Sequence, residues 1–95
     1  MSKRLYISAD MEGITGVATI EHLMPSGFEY QQAREWYTAE INAACDAAFK
    51  NGIDEIVISD SHGNGQSLLI DKLPENVQLV RSWPRPLCMM EGVHQ

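Results

Sequence analysis

The sequence predicts an α/β fold built on a parallel sheet. Two short apolar runs, Leu5-Tyr6-Ile7-Ser8-Ala9 and Glu55-Ile56-Val57-Ile58-Ser59, read as buried strands. A long segment with helical periodicity lies between them, so strand, helix and strand form a βαβ unit whose strands run parallel. Each run leads into a stretch rich in metal-ligating side chains, Asp10-Met11-Glu12-Gly13 after the first and Asp60-Ser61-His62-Gly63-Asn64-Gly65 after the second. Both stretches leave the carboxyl edge of the sheet, where ligands of open α/β sheets collect.

The first strand is expected over Arg4 to Asp10. On an extended backbone, side chains alternate faces. Asp10 and Glu12 then point the same way, with Cα atoms about 6.5–7 Å apart, and Met11 points opposite. A cation held between the carboxylates is one reading; the other is a turn capped by Asp10 beside a solvated Glu12. Gly13 ends the strand. Ile14 to Ile20 is apolar but broken by Gly16, and Glu21 to Gly27 is broken by Pro25 and Gly27, so both read as one long loop around the strand ends. Loops of that length often line sites. His22 reads as a solvated loop histidine rather than a ligand.

A helix is expected from Phe28 or Tyr30 to Lys50. Ala33, Tyr37, Ile41, Ala44 and Ala48 form its apolar stripe. Its length, about 30 Å at 1.5 Å per residue, crosses the sheet. Lys50 suits the negative helix end and Asn51-Gly52 supply a left-handed stop. Trp36 and Tyr37 read as packing residues, with Trp36 beside the stripe and available to a partner subunit. Cys45 reads as a buried thiol.

The second strand ends at Asp60. That carboxylate has two equal readings: it orients a metal-bound histidine from behind, or it accepts hydrogen bonds from amides of its own loop. Ser61 or Asn64 is expected to cap a helix over Gln66 to Lys72, with Leu68, Leu69 and Leu73 as its apolar face. Gly63-Asn64-Gly65 offers a weak phosphate cradle, but it matches neither a Walker pattern nor a dinucleotide fingerprint. Pro74 ends the helix, Val77 to Arg81 form a third strand, and Trp83-Pro84-Arg85-Pro86 read as a rigid extended link. Leu87 to Val93 open a further element, and His94 has no assigned role.

If the first two strands are neighbours, about 4.8 Å apart, His62 arrives beside Asp10 and Glu12. Asp, Glu and His suit Zn²⁺ at bond lengths of about 2.0–2.2 Å. Three protein ligands leave a coordination position open, as catalytic zinc sites do.

With 95 residues the chain makes one small unit, residues 1–95, either a single α/β domain or the amino-terminal part of one. A chain this size buries roughly 60–65% of its unfolded surface. The formal net charge of −6 argues against a nucleic-acid partner. No stretch approaches the ~20 apolar residues of a membrane span, and Lys3 and Arg4 precede too short an apolar run for a signal peptide. The two cysteines, Cys45 and Cys88, lack zinc-finger spacing and are not expected to form a disulfide. Cytoplasm is the expected compartment. Three strands and two helices make half of a doubly wound sheet. The apolar stretch Leu87 to Met90 and the outer edge of the third strand are left uncovered, so the chain is expected to self-associate or to be the front of a longer protein.

Asp10-Met11-Glu12-Gly13-Ile14-Thr15-Gly16, then Asp60-Ser61-His62, then Met90-Glu91-Gly92 resemble, in order and spacing, the D-aminopeptidase (DppA-like) family of zinc metallopeptidases. The resemblance covers nearly the whole chain. It implies a larger three-layer α/β domain of which this is the front part, two zinc ions, and release of D-residues from the amino end of short peptides. It also implies stacked-ring homo-oligomers with sites facing an inner chamber. Carried over by position, Asp10 bridges the metals while Glu12 and His62 complete the first site. The family's second-metal ligands and catalytic histidine fall downstream of this chain, so no catalytic residue is assigned within it. The reading from another class is a non-enzymatic α/β module in which Asp10, Glu12 and His62 only cap, hydrogen-bond or capture metal weakly.

Overall fold

The computed structural model describes residues 2–94. Three parallel strands, β1 (Arg4–Ala9), β2 (Glu55–Asp60) and β3 (Val77–Val80), lie side by side in that order. The register pairs Leu5 with Ile56, Ile7 with Ile58 and Ala9 with Asp60, and then Ile56 with Val77 and Ile58 with Leu79. Alternation therefore collects Leu5, Ile7, Ile56, Ile58, Val77 and Leu79 on one face. On it lies the long helix α2 (Tyr30–Lys50), and Ala33, Tyr37, Ile41 and Cys45 close the core from the helix side.

The α2 stripe differs from expectation at one place: Ala44 is exposed and Cys45 is fully buried. Both continue the helical period from Ile41, and packing against the sheet takes the larger side chain. The helix stops as expected, with Gly52 at a φ of 93° and its amide on the Phe49 carbonyl. Trp36 is half-buried and packs on this molecule's own loop, its ring 5.8 Å from that of His22. Strand ends differ slightly too, since Asp10 and Arg81 fall outside β1 and β3.

No helix forms over Gln66 to Lys72; one 3-10 turn, Ile70–Lys72, stands there. The polar groups that a helix would pair internally are taken by side chains from elsewhere. The Leu68 amide goes to Asp60 and the Leu69 amide to the Thr38 hydroxyl. Arg34 donates to the Gln66 and Ser67 carbonyls. Asn64 caps no helix: its Oδ1 accepts the Gln66 amide 2.9 Å away within the loop. Nor is Trp83 to Pro86 an extended link. The chain folds back there so that Arg85, almost fully buried, reaches the Ser82 and Cys88 carbonyls and the hydroxyls of Ser59 and Ser61.

This returning segment covers the carboxyl end of the second sheet face. The Tyr6 hydroxyl donates to the Met89 and Glu91 carbonyls at 3.1 and 2.8 Å, and the Ser8 hydroxyl to the Met89 carbonyl at 2.6 Å. A second 3-10 turn, Cys88–Met90, lies here, with Leu87, Met89 and Met90 exposed. Cys45 and Cys88 are both free thiols. Among the described residues no helix is long and apolar enough to cross a membrane.

Candidate metal centre

The site grows out of two adjacent strand ends. The Ser61 amide donates to the Ala9 carbonyl at 2.8 Å, one residue beyond the ladder, and so locks the exits of β1 and β2 together. From Ala9 the chain does not continue extended. It turns at once, the Ile14 amide closing on the Met11 carbonyl at 3.1 Å. Met11 is fully buried in the core and anchors this turn. Asp10 and Glu12 therefore converge through a turn rather than through strand alternation, and the outcome for the carboxylates is the same.

His62 follows β2 and meets them. Its Nδ1 lies 3.0 Å from Asp10 Oδ1 and 3.0 Å from Glu12 Oε1. Its Nε2 lies 2.7 Å from the Leu23 carbonyl oxygen. A carbonyl only accepts, so Nε2 carries the proton of that hydrogen bond. In the neutral ring, Nδ1 then presents its lone pair towards the two carboxylates. Burial works against the charged ring. The Leu23 carbonyl, Asp10 and Glu12 together outweigh it and raise the pKa above the ordinary histidine value. Either a proton or a metal cation at Nδ1 satisfies both carboxylates.

One ligand atom from each of Asp10, Glu12 and His62 lies within 4.8 Å of the others. The His62 side chain is 11% exposed, while Glu12 opens to solvent at 59%. One imidazole nitrogen and two carboxylate oxygens facing a common point suit Zn²⁺, and the carbonyl behind the imidazole is the partner that zinc-bound histidines usually have.

Asp60 is fully buried, with other duties. Its Oδ1 accepts the Tyr37 hydroxyl at 3.0 Å and its Oδ2 the Leu68 amide at 2.7 Å. Its hydrogen bonds among the described residues include none to His62. Burial first, and Asp60 second, push the Tyr37 phenol far above its usual range, so Tyr37 stays a donor.

His22 is not solvated. It is buried in a short helix, α1 (Ile20–Leu23), that interrupts the expected loop. Its Nδ1 accepts the Thr19 amide, closing a capping box with the Thr19 hydroxyl, and its Nε2 lies 3.2 Å from Glu29. That fold-back puts Leu23 against His62. Glycine is required nearby at Gly65, where φ is 73° and a Cβ would stand 2.8 Å from the Ser82 nitrogen. His94 is exposed and lies outside the cluster.

Sequence reasoning missed two features of the site. The Leu23 carbonyl has no side-chain signature. A cavity of about 460 Å³ borders Glu12 and His62 and is walled by Leu23, Met24, Tyr30 and Ser67; only the length of the 14–27 loop hinted at it.

Comparison with known proteins covers nearly the whole chain. A family model described as D-aminopeptidase matches residues 3–95. A D-aminopeptidase of Bacillus subtilis (strain 168) is 32% identical over 90 residues, which is 95% of this chain and 33% of the relative. The solved structure of the Zn-dependent D-aminopeptidase DppA from Bacillus subtilis, described as a self-compartmentalizing protease, superposes with a TM-score of 0.91 at 32% identity. That match covers 94% of this chain and 32% of DppA. The chain thus spans about a third of the length of the relatives it matches.

Proposed function

The chain belongs to the D-aminopeptidase family, and from that premise we propose that it carries the first half of a di-zinc site in a metallo-aminopeptidase. The substrates are short peptides with an amino-terminal D-residue. Asp10, Glu12 and His62 hold the first zinc, and Asp10 is the one shared with the second. The rest of a larger α/β domain supplies the second metal's remaining ligands and the catalytic histidine. The observation that carries this reading is the His62 imidazole, held by the Leu23 carbonyl so that Nδ1 faces both carboxylates.

Zinc bound there supplies Lewis-acid polarisation of the scissile carbonyl. The chain's own residues prepare the position. Leu23 fixes the tautomer of His62, Met11 anchors the turn that presents Asp10 and Glu12, and the exposed Glu12 leaves an approach for substrate. The acidic balance agrees with small peptides and with no nucleic-acid partner. The self-compartmentalizing relative supports an oligomeric assembly; we propose that it is a homo-oligomeric ring and place the protein in the cytoplasm.

Metal analysis of the dialysed chain tests the site. We expect zinc near one equivalent, lost in Asp10→Ala and in His62→Ala while the circular dichroism of the fold persists. Undiminished zinc in both variants overturns the assignment. Hydrolysis of D-alanyl dipeptides by the longer protein, absent in the same variants, is the test of activity.

A further inference from the structure

We propose that His22 is a positioning residue of the metal centre: its imidazole holds the Leu23 carbonyl on His62 and thereby fixes which nitrogen of His62 faces Asp10 and Glu12. This rests on the reading of that cluster as a zinc site and adds a residue that acts on it from outside. From Ala18 to Ser26, His22 is the only buried residue. It is also the only buried residue of α1, a helix of four residues. So short a helix does not hold itself together in water, and its place depends on what its buried side chain touches.

The imidazole closes its own turn and fastens that turn to α2. Its Nδ1 faces the Thr19 and Ala18 amides at 3.2 and 3.3 Å. Backbone amides only donate, so Nδ1 is the acceptor and the neutral ring carries its hydrogen on Nε2. Nε2 lies 3.2 Å from a carboxylate oxygen of Glu29, the residue that opens α2. The ring also stands 5.8 Å from that of Trp36, on α2 itself. Since α2 is packed on the sheet, α1 is tied through one side chain to the core of the fold.

The next residue is the one that reaches the metal centre. The Leu23 carbonyl stands at the end of α1, where a helix has no partner for it, and it accepts from His62 Nε2 at 2.7 Å. One peptide unit therefore separates a fixed imidazole from the acceptor that orients the metal-binding one. Without that acceptor the His62 ring can turn over or move its hydrogen to Nδ1, and a hydrogen there stands where the cation would bind. Other ties keep the segment closed when the His22 imidazole is lost. The Glu21 carboxylate takes the Phe28 amide at 2.7 Å, and the Glu21 carbonyl takes the Glu29 amide at 3.2 Å. Loss of the imidazole should therefore displace Leu23 rather than unfold the loop.

The test uses the full chain and two variants. His22→Leu fills the space without an acceptor. His22→Gln offers both an acceptor and an N–H, glutamine being a usual residue at this place in a capping box. The tautomer of His62 is read in metal-free protein from imidazole ¹⁵N chemical shifts, at a pH where the ring is neutral. Zinc affinity is read by competition with a chelating dye. We expect the unaltered chain and His22→Gln to keep the His62 hydrogen on Nε2 and to bind zinc alike. His22→Leu should show both tautomers and bind zinc about tenfold more weakly, the low end of what partners behind a metal-bound histidine contribute. Glu29→Ala, at a half-exposed side chain, repeats the test with a smaller shift in the same direction should the leucine variant fold poorly. A His62 tautomer unmoved in both His22→Leu and Glu29→Ala overturns the role, as does an equal loss in the leucine and glutamine variants. A tautomer that follows His22 in a chain that takes up no zinc sinks the metal reading and spares the positioning role; zinc taken up with a tautomer indifferent to His22 does the reverse.

Discussion

Asp10 and Asp60 stand at the exits of neighbouring strands, and their fates are opposite. Asp60 closes β2 opposite Ala9, on the face that α2 covers. It is fully buried and both its oxygens serve the fold, one for Tyr37 and one for the Leu68 amide. Asp10 comes one residue beyond β1, where the chain has begun to turn, and its side chain is 34% exposed towards His62. One residue of offset changes the face, and the face decides between scaffold and site. Similar local sequence, an aspartate ending an apolar run, thus yields two different kinds of group.

The contrast breaks most easily at Asp60. Asp60→Ala strips two buried donors of their acceptor, each worth about 1–3 kcal/mol, so we expect a loss of about 3 kcal/mol in urea unfolding. An unchanged midpoint would remove the scaffold role. His62→Ala should act on the other side. Zinc affinity should fall about a hundredfold, about 2.8 kcal/mol, while the unfolding midpoint of the metal-free protein moves little. A fold lost together with the metal would make His62 a structural residue first.

Smaller effects sharpen the comparison. Gly65→Ala, at positive φ and close to Ser82, should cost about 2 kcal/mol of stability, because it strains the turn that carries the chain away from His62. Asp10→Asn keeps an oxygen for the Met11 amide but removes the charge that faces the cation. Zinc affinity should drop about tenfold, about 1.4 kcal/mol, with stability nearly unchanged by thermal denaturation. A stability loss matching that of Asp60→Ala would erase the distinction between the two aspartates.

Much of this was legible along the chain. The strands, the long helix with its glycine stop, and the meeting of Asp10, Glu12 and His62 follow from apolar periods and from parallel pairing of strands one helix apart. What was not legible has a common cause. The Gln66 to Lys72 segment has the composition of a helix, yet Asp60, Thr38 and Arg34 take its main-chain groups. His22 looks like a loop residue, yet a capping box buries it. Arg85 sits in a proline-rich link, yet it plugs the space beside Ser59 and Ser61.

Periodicity of side chains is a short-range property, written within a few turns of chain, and the sequence by itself therefore determined the α/β class, the positions of the three strands and of the long helix, and which residue types stand at the carboxyl edge. Where a hydrogen bond ends is a long-range property. The turn that converges Asp10 and Glu12 depends on Met11 being held in the core. The tautomer of His62 depends on a main-chain carbonyl thirty-nine positions away. The cavity depends on α1 folding back over β2's exit. Tertiary structure decided those three, because each needs groups distant in sequence to arrive within about 3 Å of one another.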